Sequence, residues 1–125
     1  MKTQTKEEML QGLTYIGYSG LGFNPNEFKK ERIEEIRKII RLRLVKRKTI
    51  NLLGYGSYKL KHACEKDEMA RGLLKCYVSN GEFIYAMILE GFMVAKCGVN
   101  AHFNVTMKSA EDFYDMNFHN DRTPL

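Results

Sequence analysis

The amino-acid sequence predicts an α+β fold, a small helical domain around one long amphipathic helix with a β-hairpin. Three observations predict it. Apolar residues recur at steps of three and four between residues 28 and 45, which is typical of a helix with one buried face. Ser79 and Glu82 have the spacing of a capping box and precede a second apolar helix. Two runs of alternating apolar residues then flank Gly98 and Asn100, which are typical of a hairpin loop.

The chain length indicates one domain, because 125 residues is a usual size for a single folding unit. We expect residues 1–23 to form an N-terminal helix and loop, residues 24–110 the core, and residues 117–125 a tail. The 44% hydrophobic content is ordinary for a globular protein, and a chain of this length can bury a core without disulfides.

The N-terminal part is expected to hold a short helix, capped by Thr3 or Thr5. The glycines that follow, Gly17, Gly20 and Gly22, predict a compact loop or a short extended piece. No lysine–hydroxyl pair follows them, so the sequence does not predict a nucleotide-binding loop.

The long helix is predicted to begin at Asn24 and Pro25, an N-cap residue and a favoured first helical residue. It is expected to run to about Arg47, roughly six turns. One face of it carries a line of apolar residues: Phe28, Ile33, Ile36, Ile40 and Leu44.

Three further elements are expected. A short strand over Thr49–Leu53 would pair with the later hairpin, and Ser57 would cap a helix whose lysines Lys59 and Lys61 point outward. After a connector over Met69–Cys76 and the hairpin, Ser109 would cap a last helix. That helix would dock through two apolar residues, Phe113 and Met116.

The charge is distributed unevenly along the chain. Its net value is +5, and residues 37–61 contain nine bases and no acid, whereas residues 111–121 contain four acids and no base. Two or three cations would satisfy the dipole at the end of the long helix, so the excess favours contact with phosphates. The predicted nucleic-acid-binding residues are Arg37, Lys38, Arg41, Arg43, Lys46, Arg47, Lys48, Lys59 and Lys61.

Other kinds of site have little support in the sequence. The three cysteines, Cys64, Cys76 and Cys97, lack the close spacing of a structural zinc site, and a Cys97–His102 nucleophile pair would have only Lys96 beside it. We therefore predict no catalytic residue, no metal and no cofactor. The N-terminus has no apolar signal region and no apolar run is long enough to span a membrane, so a cytoplasmic protein is expected.

Three phrases, SYKLKHACE, YVSNGEFIYAMILEGF and NAHFNVTMKS, resemble a group of small uncharacterised proteins of phages and other mobile elements. The second phrase and its hairpin also resemble the last helix and wing of winged-helix modules. The outward residues expected on that helix, Glu82, Tyr85 and Glu90, include no base-reading cation. Nucleic acid is therefore expected to meet the basic end of the long helix.

The combined prediction is a non-enzymatic accessory or regulatory protein of a phage or mobile element that binds DNA or RNA, preferably duplex, mainly through phosphates. The alternative is a small inhibitor or adaptor that binds a partner protein, such as a phage-borne blocker of a host defence nuclease. A third interpretation is a homodimer in which residues 111–121 lie on the basic helix of a second copy.

Overall fold

The computed structural model describes residues 4–67 and 77–118. Within these ranges the chain forms five α-helices, one short 3-10 helix and two antiparallel two-stranded hairpins, so the predicted α+β class is confirmed. In chain order the elements are α1 (Lys6–Leu10), β1 (Leu13–Thr14), β2 (Gly17–Tyr18), the 3-10 helix (Pro25–Glu27), α2 (Lys30–Arg43), α3 (Ser57–Lys66), α4 (Asn80–Leu89), β3 (Val94–Cys97), β4 (Asn100–Phe103) and α5 (Met107–Phe118).

The core is centred on α4, not on the longest helix. Helix α2 packs on one side of α4, and α3, which itself packs on α5, contacts another. Eight of the ten residues of α4 are buried, namely Asn80, Gly81, Glu82, Phe83, Ile84, Ala86, Met87 and Ile88. Glu82, which was expected to point outward, is only 1% exposed. A helix enclosed in this way cannot present its side chains to a nucleic-acid groove.

The long helix is shorter than predicted at its N-terminal end. Asn24 does act as a cap, and accepts a hydrogen bond from the Asn26 amide at 3.0 Å, but it caps the 3-10 helix. Phe28 then takes an extended conformation (φ −118°, ψ 133°) before α2 begins. Its ring centroid lies 5.9 Å from that of Phe23 and 4.7 Å from that of Tyr85, so packing of the aromatic ring accompanies the break.

The same helix also ends earlier than predicted. Leu44 is extended, and the chain then pairs with the segment after β4, where the Thr106 amide donates to the Val45 carbonyl at 2.8 Å. An isolated bridge joins Lys46 to Val105. Residues 49–53 form no strand in this described part of the chain, so the strand expected there was wrong, although pairing with the hairpin region does occur.

Two predicted helix caps were also misplaced. The Ser57 hydroxyl accepts a hydrogen bond from the Ala101 amide at 3.0 Å and does not cap α3, which Gly56 precedes. Helix α5 begins before Ser109, because the Thr106 hydroxyl accepts from the Ser109 amide at 3.2 Å. Phe113 is buried as predicted, whereas Met116 is exposed.

Two helix starts, one helix end and one turn were predicted correctly. Thr5 forms a capping box with Glu8 at the start of α1, and Ser79 forms one with Glu82 at the start of α4. Gly91, after α4, has a left-handed backbone (φ +89°), which is typical of a glycine that ends a helix. Strands β3 and β4 pair around the predicted turn, from Val94–Phe103 to Cys97–Asn100.

Some predictions lie partly or wholly outside the described residues. These include Thr3 as a cap, the connector over Met69–Cys76, and the tail from residue 119 onward. Residues 117 and 118, which were assigned to the tail, belong to α5.

The β1–β2 hairpin sits directly on the first turn of α4. The Gly81 amide donates to the Tyr15 carbonyl at 2.9 Å, so the hairpin satisfies one of the unpaired amides at the helix start. A Cβ atom at Gly81 would lie 1.8 Å from the Thr14 carbonyl oxygen, a distance that no real contact reaches. Glycine is therefore required at this position by the approach of another backbone.

We predict that Gly81→Ala destabilises the protein by about 3 kcal/mol, because the added methyl group displaces the hairpin. The intrinsic helix preference for alanine, about 1 kcal/mol, opposes this effect but is smaller. Urea denaturation measures the difference. Gly22→Ala is the control, because nothing lies within 4 Å of its added Cβ. Equal stabilities of the two variants would contradict the prediction.

Candidate functional site

Two of the predicted nucleic-acid-binding arginines are paired with a carboxylate at the end of α4. Arg37 Nε lies 2.6 Å from Glu90 Oε2, and Arg41 Nε lies 3.0 Å from Glu90 Oε1. Arg37 also contacts Glu34 at 3.1 Å. The carboxyl ends of two helices, α2 and α4, are close to these arginines, and cations there offset the negative ends of both helix dipoles.

Two further cations of α2 are paired with acids. Arg43 approaches both carboxylate oxygens of Asp67, at 2.9 and 3.2 Å, and the Asp67 side chain is 0% exposed. Lys38 lies 3.2 Å from Glu35 on the exposed face of the same helix. Residues 37–61 contain no acid, but in the folded protein carboxylates from outside this range lie next to their arginines and lysines.

The lysines of α3 also contact the protein itself. Lys61, which was predicted to point outward, has a side chain only 7% exposed and lies 3.4 Å from Glu65. Its Nζ sits 5.4 and 5.0 Å from the ring centroids of Tyr58 and Tyr77. Lys59 is exposed, and its Nζ lies 5.6 Å from the centroid of Tyr55.

The remaining predicted cations form an exposed run, Lys46, Arg47 and Lys48, which we call the basic segment. Among the described residues, none of the three lies within ion-pair distance of a carboxylate. Lys46 Nζ is 5.4 Å from the centroid of Phe92, and Arg47 contacts the Thr49 hydroxyl at 3.1 Å. The nine cations thus scatter over several surfaces. Within residues 4–67 and 77–118, the basic segment and Lys59 are the ones that have no carboxylate within ion-pair distance.

The electrostatics of Glu90 follow from its neighbours. Burial acts to raise the pKa of this carboxyl, but hydrogen bonds from Arg37 and Arg41, together with their charges, outweigh burial and lower it. Conversely, the hydrogen bond to Glu90 contributes most to raising the pKa of Arg37. These groups form a structural charge cluster.

A second surface feature was missed by the sequence analysis. Near the N-terminal end of α4, five exposed side chains come from four separate parts of the chain: Tyr15, Ile16, Tyr58, Tyr77 and Val99. No role was predicted for these residues, and the positions of Ile16 and Val99 in hairpin turns were the one local signal available.

The cysteine and histidine residues do not form a site within residues 4–67 and 77–118. No group of three His, Cys, Asp or Glu side chains there could hold a metal ion. Cys64 is buried, and burial raises the pKa of its thiol far above the ordinary value, whereas Cys97 is exposed on β3. Cys76 lies outside the described residues.

Comparison with known proteins adds no assignment. The chain matches no family model, no curated protein and no solved structure. Among the helices described, none is both long and apolar enough to cross a lipid bilayer. The site must therefore be interpreted from its geometry.

We predict that Arg43→Gln destabilises the protein by about 3 kcal/mol, because it removes the cationic partner of a fully buried carboxylate. Thermal or urea unfolding measures this loss. Arg47→Gln is the matched control and should change stability by less than about 0.5 kcal/mol, since Arg47 is exposed. Similar losses in both variants would show that the Arg43–Asp67 contact is not structural.

Because the pKa of Glu90 is lowered in the folded protein, we predict that the free energy of unfolding depends on pH. Its folded-state pKa lies below the ordinary value of 4.5, so its contribution is present above that value and is lost as the pH falls through the folded pKa. Glu90→Gln should therefore cost about 2 kcal/mol at pH 7, and the difference from wild type should shrink as the pH falls below the ordinary carboxyl pKa and through the lower folded-state pKa. Urea unfolding at several pH values tests this, with the exposed Glu7→Gln as control.

Proposed function

We propose that the protein binds nucleic acid through phosphate contacts made by the basic segment, assisted by Arg41. The observation that supports this proposal is that Lys46, Arg47 and Lys48 are consecutive, exposed and not neutralised by any described carboxylate. Arg41 pairs with Glu90, but its side chain is 55% exposed and it lines the same cavity as Lys46. The other predicted cations are engaged within the protein or lie on other surfaces. The contact surface is therefore smaller than the sequence suggested.

The binding mode follows from the small number of cations. About four phosphate contacts on duplex DNA give a log–log salt slope of roughly −3 to −4. Contacts of this kind position a protein on the backbone but do not read bases. We therefore propose sequence-independent binding of DNA or RNA duplex, without catalysis, as an accessory or regulatory activity of a phage or mobile element.

The resemblance to winged-helix modules supports the proposal only through the order of the helix and the hairpin. Helix α4 is followed by the β3–β4 hairpin, as a recognition helix is followed by a wing. Because α4 is buried, we place the nucleic acid against the chain that leaves α2 and pairs at Val105, just after β4. The phrases that resemble mobile-element proteins lie mainly in α3, α4 and the β3–β4 hairpin. They support an origin in a phage or mobile element but not the binding of nucleic acid.

A partner protein is the second candidate, because apolar side chains lie next to the basic segment. Leu42 and Val45 are each more than half exposed, and Met107 is exposed close to Val45. A phosphate backbone gives such side chains nothing to pack against, whereas an acidic partner protein with apolar residues would cover them. This surface suits an inhibitor or adaptor, and a second copy of the chain is one possible acidic partner through Glu111 and Asp112.

We predict that the triple variant Lys46→Glu, Arg47→Glu, Lys48→Glu loses duplex binding, with little change in melting temperature, because these side chains are exposed. Fluorescence anisotropy with a labelled duplex at 50 and 150 mM salt measures the binding and its slope. The charge-matched control is Lys6→Glu, Lys29→Glu, Lys30→Glu. It should bind the duplex like wild type, because Lys29 and Lys30 lie at the start of α2 whereas the basic segment follows its end. It should also fold, because acids are favourable at the start of a helix.

The outcomes separate the two candidates. Failure of the wild type to bind the duplex at low salt, or equal losses in both triple variants, would overturn the nucleic-acid proposal. A stoichiometric protein complex that survives nuclease treatment and is lost in Leu42→Ser, Val45→Ser would support the inhibitor or adaptor.

A further inference from the structure

The loop between the basic segment and α3 carries two strongly exposed apolar side chains. Leu52 and Leu53 are consecutive, form a turn, and are 64 and 94% exposed. A single exposed leucine is ordinary on a protein surface, but two adjacent leucines on one turn make a joint apolar surface. We call Leu52 and Leu53 the leucine tip.

The side chain of Asn51 fixes the conformation of this turn. Asn51 is buried, and its Oδ1 accepts a hydrogen bond from the Leu53 amide at 3.2 Å. The chain then folds back over the same side chain, because a Cβ atom at Gly54 would lie 2.7 Å from Asn51 Nδ2. Since the asparagine fills the inside of the turn, the two leucines are left on its outside.

Backbone hydrogen bonds hold the leucine tip next to the basic segment. The Asn51 amide donates to the Phe103 carbonyl at 3.0 Å, and the Arg47 amide donates to the Asn104 carbonyl at 2.8 Å. Asn104 Nδ2 also donates to the Arg47 carbonyl at 2.9 Å. Phe103 and Asn104 are neighbours in the chain, so residues 47 and 51 are anchored side by side. Lys48 and the leucine tip therefore belong to one compact loop.

The charge around the leucine tip is mainly positive. The basic segment is exposed and has no carboxylate within ion-pair distance among the described residues, and residues 37–61 contain no acid. On the other side, burial and the charges of Asp115 and Glu111 raise the pKa of Tyr55, so these two acids of α5 lie near its hydroxyl. Lys59 Nζ lies 5.6 Å from the centroid of the same ring and opposes their charge.

An anionic lipid bilayer matches both properties of this loop. Its headgroups attract exposed lysine and arginine side chains, and its acyl region takes up apolar side chains that enter the interface. A nucleic-acid backbone attracts the same cations but gives the two leucines no apolar surroundings. The leucine tip therefore indicates a partner other than the proposed nucleic acid.

A folded protein partner fits the leucine tip less well. The two leucines expose about 300 Å², if a whole leucine presents about 180 Å², whereas a standard protein interface buries roughly 800 Å² per partner. A protruding turn can also enter a fluid headgroup layer directly. A protein would have to supply a recess that fits the turn.

We propose that the leucine tip and the basic segment bind the surface of an anionic lipid bilayer, with Leu52 and Leu53 inserted at the level of the headgroups. Stable attachment to a bilayer usually combines two weak contributions, and this loop supplies apolar insertion together with cationic attraction. The proposal goes beyond nucleic-acid binding. It shares the basic segment with that function but depends on the leucine tip, so each can fail separately.

A tryptophan placed at the leucine tip reports insertion directly. The protein contains no tryptophan, so Leu53→Trp introduces a single probe. We expect its fluorescence to shift to shorter wavelength when vesicles of phosphatidylcholine and phosphatidylglycerol at about 7:3 are added, and much less with phosphatidylcholine alone. Leu21→Trp is the matched control, because Leu21 is also 94% exposed but lies outside this loop, and its emission should not shift.

Vesicle flotation measures the affinity of the full-length protein. The double variant Leu52→Ser, Leu53→Ser should bind the mixed vesicles at least about tenfold more weakly, because it removes the inserted apolar groups. It should bind duplex DNA like wild type. The triple variant Lys46→Glu, Arg47→Glu, Lys48→Glu should lose both ligands, whereas Leu21→Ser should keep both. Circular dichroism melts establish that all variants fold.

Several results would overturn the proposal. These are a wild type that does not bind the mixed vesicles at low salt, equal vesicle binding by wild type and the double serine variant, and vesicle binding without a fluorescence shift in Leu53→Trp. A soluble protein partner that requires the leucine tip, in the absence of vesicle binding, would also overturn it. Leucine-dependent vesicle binding by a protein that binds no duplex would support this proposal and overturn the nucleic-acid one.

Discussion

The buried carboxylate of Glu82 connects α2 with the start of α4, two segments that are about 50 residues apart in the sequence. It accepts from the Ser79 amide at 2.9 Å, which completes the cap of α4, and it contacts Arg32 of α2 at 2.8 Å. Arg32 in turn donates to the Tyr77 carbonyl. A carboxylate that is only 1% exposed is tolerated because its charge is paired and its oxygens accept hydrogen bonds. Glu82 therefore links α2 to the cap of α4, and Arg32 links both to the Tyr77 carbonyl.

The two ends of α4 differ because of the elements that meet them. Backbone carbonyls and amides of the two hairpins meet at the N-terminal end, where the close approach at Gly81 leaves little room for movement. At the C-terminal end, Glu90 and the ends of two helices gather arginines. Several of the described cations, among them Arg37, Arg41 and Arg43, therefore offset charges that folding brings together, whereas the basic segment does not.

Several features of the fold could be predicted from local sequence because their causes are local. The capping boxes, the left-handed Gly91 and the β3–β4 turn each depend on residues within a few positions of one another. The ends of α2 were mispredicted because distant residues decide them. Phe28 is extended where its ring meets Tyr85, and Leu44 is extended just before the Val45 carbonyl accepts from the Thr106 amide.

The sequence by itself determined the α+β class, the approximate positions of the helices and the hairpin, and the total charge. Only the tertiary structure decided which charges remain available, because ion pairs such as Arg43–Asp67 and Arg37–Glu90 join residues far apart in the chain. It also decided that Tyr15 and Tyr77, from separate segments, line one cavity. Periodicity and capping act over a few residues, whereas neutralisation and surface continuity depend on contacts between elements, which no local pattern specifies.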